Sequence, residues 1–474
     1  MKPYSLYHLS IRDIKISTAV KKRRASDWHI QILRWGLAGI LVLAPFYAAL
    51  SIWLASLGLH HLDFIKIWKE VALAGLGLVL VSFLVTRKQY MKIVWRNRLF
   101  QVIGAYILLL VAYGIYDIAS GRVADKAVIY GWLTDIRPVG VFVVAALTFA
   151  VSQQIKFPDF PWKKLLLLPA MVVIVFGFLQ MTVLPKDILR HVGYSASTTV
   201  PYETVDNQPN LVRIQSTLRG PNPYGAYIAI IITALSAMII ADRGRKRLAW
   251  TLFLGLSLFV LYGTYSRSAE LAVVASVIAL LLLEKRRYVK THLLAVLCAC
   301  IIATILGVVA VSHHNYLAQN IVLHSSSSST SKMSSNSQRA QAIKTAAIDV
   351  VHHPFGSGVG SAGPASRRNT KGPIKIAENY YLQIGQEIGI VGMGLFIAIS
   401  LMIAYELWMQ RQNQLAKILL ASLVGMTVVN MVSHGWTDDT LAYVWWTLAG
   451  LVCAPVILKA NKRKYNEKIA KKPA

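Results

Sequence analysis

Apolar blocks about 17 to 25 residues long, separated by polar stretches, recur from residue 32 to residue 458, and a helix of that length spans a bilayer core. The pattern predicts twelve such helices, at about 32–57, 70–86, 99–117, 139–155, 164–184, 224–241, 248–265, 268–283, 291–311, 379–405, 416–433 and 441–458. The seventh and eighth share a tight junction at Tyr265-Ser266-Arg267-Ser268, a candidate to dip below the membrane surface.

Between these blocks two connections are long, 185–223 and 312–378. Structureless loops of that size are usually functional or disordered. The second opens on a low-complexity run, Ser325 to Ser337, with the composition of a flexible linker. Ser337 can cap a helix over 338–352, with Ala340, Ile343, Ala347 and Val350 on one face. His353-Pro354 ends it, and Gly356-Ser357-Gly358-Val359-Gly360 follows. The chain thus divides into a basic N-terminal segment (1–31), spans one to five (32–184), a first large loop (185–223) and spans six to nine (224–311). The second loop (312–378), spans ten to twelve (379–458) and a basic tail (459–474) complete it.

Composition removes other classes. The 474 residues hold 50 Lys+Arg against 21 Asp+Glu, a formal net charge of +29. A nucleic-acid binder could carry that charge, but not with 55% hydrophobic residues and a mean hydropathy of +0.50. The first 31 residues are polar and basic (Lys21, Lys22, Arg23, Arg24), and 32–57 is too long for a signal-peptide core, so it reads as an uncleaved anchor. Cys298, Cys300 and Cys453 fall inside spans and read as small packing residues.

The charge is unevenly placed. With both termini on one side, that side holds 33 basic and 7 acidic residues, and the other holds 17 and 14. By the positive-inside rule the termini are cytoplasmic and both long loops extracytoplasmic. Bulk charge is then a matter of topology and of attraction to anionic inner-leaflet lipid.

The informative cations are those on the outer side. Arg267 stands between two apolar spans, with Glu270 one turn on. The two can form a pair that fixes the junction, or Arg267 can face outward as an anion site, since a guanidinium holds two phosphate oxygens at once. Arg213 and Arg219 flank the first loop's exit, where Gly220-Pro221-Asn222-Pro223 leads into the sixth helix; each alone reads as a solvated loop charge. Glu378-Asn379 precedes the tenth helix, as a helix cap or, for Glu378, as a general base. The pairs His60-His61, His313-His314 and His352-His353 lack ligand spacing; His434 with Asp438 and Asp439 could suggest a metal, but short polar turns commonly have this composition. No phosphate-cradling Gly-rich loop and no Ser/His/Asp set stands out.

Four motifs together resemble the O-antigen ligase and polymerase superfamily. They are the Ser266-Arg267 junction with Glu270, the Thr217-Leu-Arg-Gly-Pro-Asn-Pro-Tyr-Gly225 turn with Asn222, the outer helix with Arg339 followed by His353 to Gly360, and Asn379-Tyr-Tyr-Leu-Gln-Ile384 followed by Glu387 to Gly392. The resemblance implies an all-α, polytopic integral membrane protein of about twelve transmembrane helices, GT-C-like, with a large extracytoplasmic loop carrying short helices. It implies a metal-independent, cofactor-free, inverting glycosyltransferase of the bacterial cytoplasmic membrane. The donor would be a glycan on undecaprenyl diphosphate and the acceptor a glycan hydroxyl, with no nucleic acid involved. Arg213, Arg219, Arg267 and Arg339 become candidates for holding the diphosphate, Asn222, Glu270 and Asn379 supporting residues, and Glu378 a candidate base. Ligases of the family commonly carry His-Asn where this chain has Glu378-Asn379, which favours a polymerase of surface polysaccharide repeats. A glycan ligase or protein O-oligosaccharyltransferase is the alternative within the superfamily. A polysaccharide or lipid flippase is the alternative from another class, although no matching halves are visible in the chain.

Overall fold

A computed structural model describes residues 28–57, 65–155, 157–205, 208–209, 211–284, 291 and 335–470. The predicted ninth span, Cys298, Cys300, His60-His61 and His313-His314 lie outside the described residues. The protein is an all-α polytopic membrane protein, with fourteen α-helices and one two-stranded ribbon among the described residues. The first predicted span is α1 (Trp28–Leu43) and α2 (Tyr47–Ser56), divided at Ala44–Phe46 by a 3-10 turn containing Pro45, which has no N–H to give the helix. There follow α3 (Trp68–Thr86), α4 (Lys88–Arg96), α5 (Arg98–Ser120), α6 (Asp125–Gln154) and α7 (Trp162–Thr182). Next come α8 (Pro221–Ala241), α9 (Gly244–Gly263), α10 (Arg267–Leu283) and α11 (Ser335–His352). The chain closes with α12 (Tyr380–Met409), α13 (Gln414–Val432) and α14 (Asp439–Ala470).

Eight helical spans, α1–α2 together and α3, α5, α6, α7, α8, α12 and α13, are long and apolar enough to cross a membrane. Helices α9, α10 and α14 coincide with three further predicted spans; α9 opens on Arg245, Lys246 and Arg247, and α10 has 17 residues. Helix α8 is apolar on every side and 89% of its span is buried, so it stands inside the bundle. In α3, α5 and α12 only 33% is buried, which leaves their outer faces to lipid. Small residues set the tightest seams, since close backbone approach is the main route to packing in lipid. A Cβ on Gly450 of α14 would lie 2.7 Å from Ala145 of α6, and one on Gly425 of α13 would collide with Ser276 and Ala272 of α10.

The fold departs from, or adds to, the expectations at five places. The fourth span begins at Asp125 rather than near 139, so the expected loop 118–138 is mostly helix. Asp125, Lys126, Asp135 and Arg137 interrupt the apolar run and hid it, whereas in the fold Asp135 and Arg137 are buried within the bundle. Loop 185–223 is structured, with a 3-10 turn at Ile188–Val192 and an antiparallel ribbon of β1 (Glu203–Thr204) and β2 (Val212–Arg213). In α11 the buried residues are Ala346 and Val350, while Ala340 is exposed. The expected inner loop 87–98 holds the short helix α4, and the expected tail continues α14 to Ala470.

Helix α12 is broken at Ile388 and Gly389, the latter at φ 74°, ψ −177°. That region is essentially restricted to glycine. The break frees the carbonyls of Gln386 and Glu387, which would be costly to leave unpaired in a bilayer. The loop after α11 satisfies them. Ser357 N–H donates to Gln386 at 2.7 Å, Gly358 N–H donates to Glu387 at 3.0 Å, and Ile390 N–H returns to Pro354 O at 2.9 Å. Gly356, at φ 80°, lies so close to this break that a Cβ would stand 2.5 Å from Glu387 O. The His353-to-Gly360 motif is therefore a plug for a broken helix. Gly389→Ala should lower stability by about 1–3 kcal/mol, read as a reduced Tm of the detergent-solubilised protein; an unchanged Tm would contradict the assignment.

Candidate functional site

One end of the bundle gathers the ends of α5, α9 and α13, the starts of α3, α6, α8, α10, α12 and α14, and the helix α11. Hydrogen bonds join these pieces: Ala124 N–H donates to Asn369 Oδ1 (3.1 Å), Val359 N–H to Asp117 Oδ2 (2.8 Å), Ile214 N–H to Gly263 O (3.0 Å) and Asn379 Nδ2 to Met431 O (3.0 Å).

The floor is a buried quartet. Arg137 Nη2 lies 2.6 Å from Glu70 Oε1 and its Nη1 lies 2.8 Å from Asp439 Oδ1. Lys69 Nζ reaches Glu70 at 3.3 Å and Asp439 at 3.4 Å, and sits 4.6 Å from the centre of the Tyr47 ring. Arg137 also donates to Thr437 O at 3.0 Å. Two cations and two carboxylates cancel, and they tie α3, α6 and α14 together.

Above the floor stands Arg219. Its loop is fixed by the broken first span: Thr217 Oγ1 donates to Pro45 O at 2.8 Å, and Thr440 Oγ1 donates to Ala44 O at 2.9 Å. Ser216, at φ 52°, donates its N–H to Gln180 Oε1 at 2.8 Å. Burial would lower the pKa of Arg219, but Tyr47, Asp438, Tyr130 and Asp439 around it reverse that, and it stays charged.

The charges of Arg219, Arg367 and Arg339 all act on His434. Arg339 comes from α11, Arg367 from a 3-10 helix at Gly363–Arg368, and His434 from the turn between α13 and α14. Arg339 Nε lies 3.9 Å from Glu378 Oε2. Glu378 has φ 48°, an uncommon conformation for a side-chain-bearing residue. Its pKa is raised by burial, against the pull of Arg339 and Arg367. Burial and then the three guanidiniums push His434 down to about 4, while burial pushes Asp438 up to about 6. The ring of His434 makes no hydrogen bond to another described residue, and neither does the guanidinium of Arg219.

The other sequence candidates take different positions. Arg213 is engaged on three sides: Nε donates to Thr264 O at 2.9 Å, Nη2 to Asn222 Oδ1 at 2.6 Å, and Nη1 lies 3.3 Å from Glu203. It stitches the β-ribbon to the α9–α10 junction and to the start of α8. Arg267 opens α10 with Glu270 as its charge neighbour. It is not among the cations whose charges act on His434. Asn379 caps α12, accepting from Leu382 N–H at 3.0 Å. Arg367, Lys69, Glu70 and Arg137 were not among the sequence candidates, and His434 and Asp439 were read there as part of a polar turn. Lys69-Glu70 at the start of an apolar block and Arg137 inside one carried the signal of costly intramembrane charge; His434 and Arg367 carried none. Among the described residues, no group of three His, Cys, Asp or Glu could hold a metal ion. A separate cavity of about 400 Å³, lined by Tyr113, Tyr116, Arg122 and Phe355, contains none of the arginines whose charges act on His434.

A family model described as O-antigen ligase matches residues 252–397. The match runs from α9 into α12 and contains Arg267, Arg339, Arg367 and Glu378, but neither Arg219 nor His434. It supports the resemblance to the O-antigen ligase and polymerase superfamily, a family of glycosyl-transferring membrane proteins. No curated protein matches the chain.

Two stability outcomes follow from the charges. Asp439→Ala leaves two buried cations with one carboxylate and should cost about 3–5 kcal/mol; loss of the folded, monodisperse protein in detergent would read it. His434 binds its proton less readily when folded than the ordinary 6.5, so its contribution to stability falls as pH drops from 6.5 through about 4. Asp438, raised from 3.8 to about 6, acts oppositely over much of that range. Relative to wild type, His434→Gln should therefore gain Tm on acidification from pH 7 to pH 4; a parallel pair of pH curves would contradict this.

Proposed function

We propose that this protein is a glycosyltransferase whose donor is a glycan carried on a lipid diphosphate, undecaprenyl diphosphate by the superfamily resemblance, and that it polymerises surface polysaccharide repeats. The observation that carries the reading is the convergence of Arg219, Arg339 and Arg367, from three separate segments, around one turn. Among the described residues, Glu378 lies in the field of Arg339 and Arg367, and Asp438 and Asp439 in that of Arg219, so with Asp439 already paired in the quartet the cluster favours an anion of more than one charge. A diphosphate is such a group, and guanidinium holds its oxygens in pairs.

In the reaction an acceptor hydroxyl attacks the anomeric carbon from the face opposite the diphosphate. The new C–O bond forms as the bond to the phosphate oxygen breaks, the configuration inverts, and the electron pair leaves on the lipid diphosphate. Fixed cations act on that developing charge, and the apolar bundle around them strengthens the effect by excluding water. Glu378 is one carboxylate near the reacting groups; its ion pair with Arg339 also suits it to hold that guanidinium in position. Arg213 and Asn222 serve the site indirectly, by locking the ribbon against the α9–α10 junction. Arg267, with Glu270, is a further candidate for the lipid side of the diphosphate. The site end would face away from the cytoplasm, in keeping with the predicted topology.

Purified protein in liposomes, supplied with an undecaprenyl-diphosphate-linked repeat, should yield polymer. Arg219→Ala or Arg339→Ala should each reduce turnover about 10²-fold or more, and in cells single lipid-linked units should accumulate. Movement of the repeat across the bilayer without any new glycosidic bond would sink the proposal in favour of transport. Transfer of a finished glycan to lipid or protein would move it to the ligase branch.

A further inference from the structure

Helix α5 turns most of its surface to lipid: only 33% of its span is buried, and Leu108 and Ile115 stand exposed on its outer side. Toward its end that surface is hollowed. The separate cavity of about 400 Å³ has Ala112, Tyr113 and Tyr116 of α5 along one wall, Phe355 on the other, and Arg122, just past the helix end, at the top. Ala112 and Tyr116 are exposed, and Phe355 is 76% exposed. A hollow of this volume is large enough for a ligand rather than a single water. It is an apolar trough on a lipid-facing helix, closed at one end by tyrosines and a guanidinium. That is the polarity of a phospholipid lying with its chain below and its phosphate above.

The cations decide which phospholipid. Arg122 Nε and Nη2 both lie 3.0 Å from Asp117 Oδ1, and Asp117 Oδ2 accepts from Val359 N–H at 2.8 Å. The buried carboxylate fixes the guanidinium, whose carbon sits 5.6 Å from the centre of the Tyr116 ring. Its Nη1 makes no hydrogen bond to another described residue. Lys371, an exposed residue, adds a second cation: its Nζ comes so close to Gly121 that a Cβ there would lie 3.4 Å away. Gly121 caps α5 in the left-handed conformation, φ 67°, so this ammonium stands one residue from Arg122. Asp117 offsets one of the two charges, and one positive charge remains over the mouth of the trough. A headgroup with net negative charge is attracted to it, and a zwitterionic one has no net charge to offer.

We propose that this trough binds an anionic glycerophospholipid such as phosphatidylglycerol, with its phosphate on Arg122 and Lys371 and one acyl chain between Tyr113, Tyr116 and Phe355. The consequence lies in the plug of the broken helix. Phe355 stands between Pro354, whose carbonyl accepts from Ile390 N–H at 2.9 Å, and Gly356, which packs on the break in α12. Val359 N–H is tied to the same Asp117 that holds Arg122. A chain in the trough therefore buttresses the segment that closes α12 and leads on to Arg367. The lipid acts as a structural ligand, separate from any lipid-linked donor, and the site does not depend on the glycosyl-transfer reading.

Full-length protein in phosphatidylcholine nanodiscs, doped with phosphatidylglycerol that carries a photoreactive group on one acyl chain, tests this. Peptide mapping should find label within residues 112–122 and at Phe355. Excess unlabelled phosphatidylglycerol should displace it, and added phosphatidylcholine should not. Lys371→Gln should weaken the binding about fivefold, and raised salt should act in the same direction. Ala112→Trp fills the trough from an exposed position and leaves the Asp117–Arg122 pair intact; it should abolish label at these two segments while label elsewhere persists. Phosphatidylglycerol should also slow hydrogen exchange at Ser357, Gly358 and Ile390 relative to phosphatidylcholine alone, and Ala112→Trp should erase that difference. Equal displacement by phosphatidylcholine, or label indifferent to both substitutions, means ordinary solvation by lipid and overturns the proposal. Displacement by a polyprenyl diphosphate at far lower concentration than by phosphatidylglycerol would give the trough to the donor and overturn it as well.

Discussion

Charge inside an apolar helix bundle has to be paired, and that requirement organises the site end of this protein. Lys69, Glu70, Arg137 and Asp439 are buried together and cancel. Removing any one would leave an excess charge in a medium that solvates it poorly. Because the quartet takes its members from α3, α6 and α14, the same pairing that makes the charges tolerable also fixes three helix ends. Directly above, the balance changes: Arg219, Arg339 and Arg367 outnumber the carboxylates beside them. The contrast between a neutral floor and a cationic rim is what would suit the rim to an anion, as proposed above, rather than to another structural knot.

The arginines reach the rim because two helices are broken. A break in a membrane helix exposes carbonyls that need donors, and each break here is answered by a loop that carries site residues. At Ala44–Phe46 the freed oxygens are taken by Thr217 and Thr440, which sets the loop of Arg219 against the start of α14. At Ile388–Gly389 they are taken by Ser357 and Gly358, which binds the segment between α11 and the Gly363–Arg368 turn onto α12. Asp349 extends the second anchorage, accepting from Lys375 Nζ at 2.9 Å and Gln386 Nε2 at 2.7 Å. Precise placement of long, flexible arginine side chains thus rests on backbone hydrogen bonds several residues away.

Part of the site was legible in the chain. Arg219 and Arg339 stood out as outer-side cations without a topological reason, and the charges of both act on His434. Glu378-Asn379 was readable both as a cap and as a carboxylate near cations; Asn379 caps α12 and Glu378 pairs with Arg339. Arg213 was readable only as a cation, and its three partners, Glu203, Asn222 and Thr264, come together solely through folding. Arg367 and His434 were not legible, because Arg367 is one of a pair in a long polar loop and His434 sits in a turn of ordinary composition. They lie 67 residues apart in sequence, and only the fold lets the charge of one act on the other.

The sequence by itself determined the class of protein and nearly all of its helices, because the length of an apolar run and the scarcity of charge within it are local properties that the bilayer enforces. It missed the first part of α6, where buried Asp135 and Arg137 broke the apolar pattern that their partners make possible. Only the tertiary structure decided which cations are neutralised by carboxylates and which are left in excess. That distinction depends on distances between segments remote in the chain, and a charge reads the same in sequence whether or not a carboxylate waits for it across the bundle.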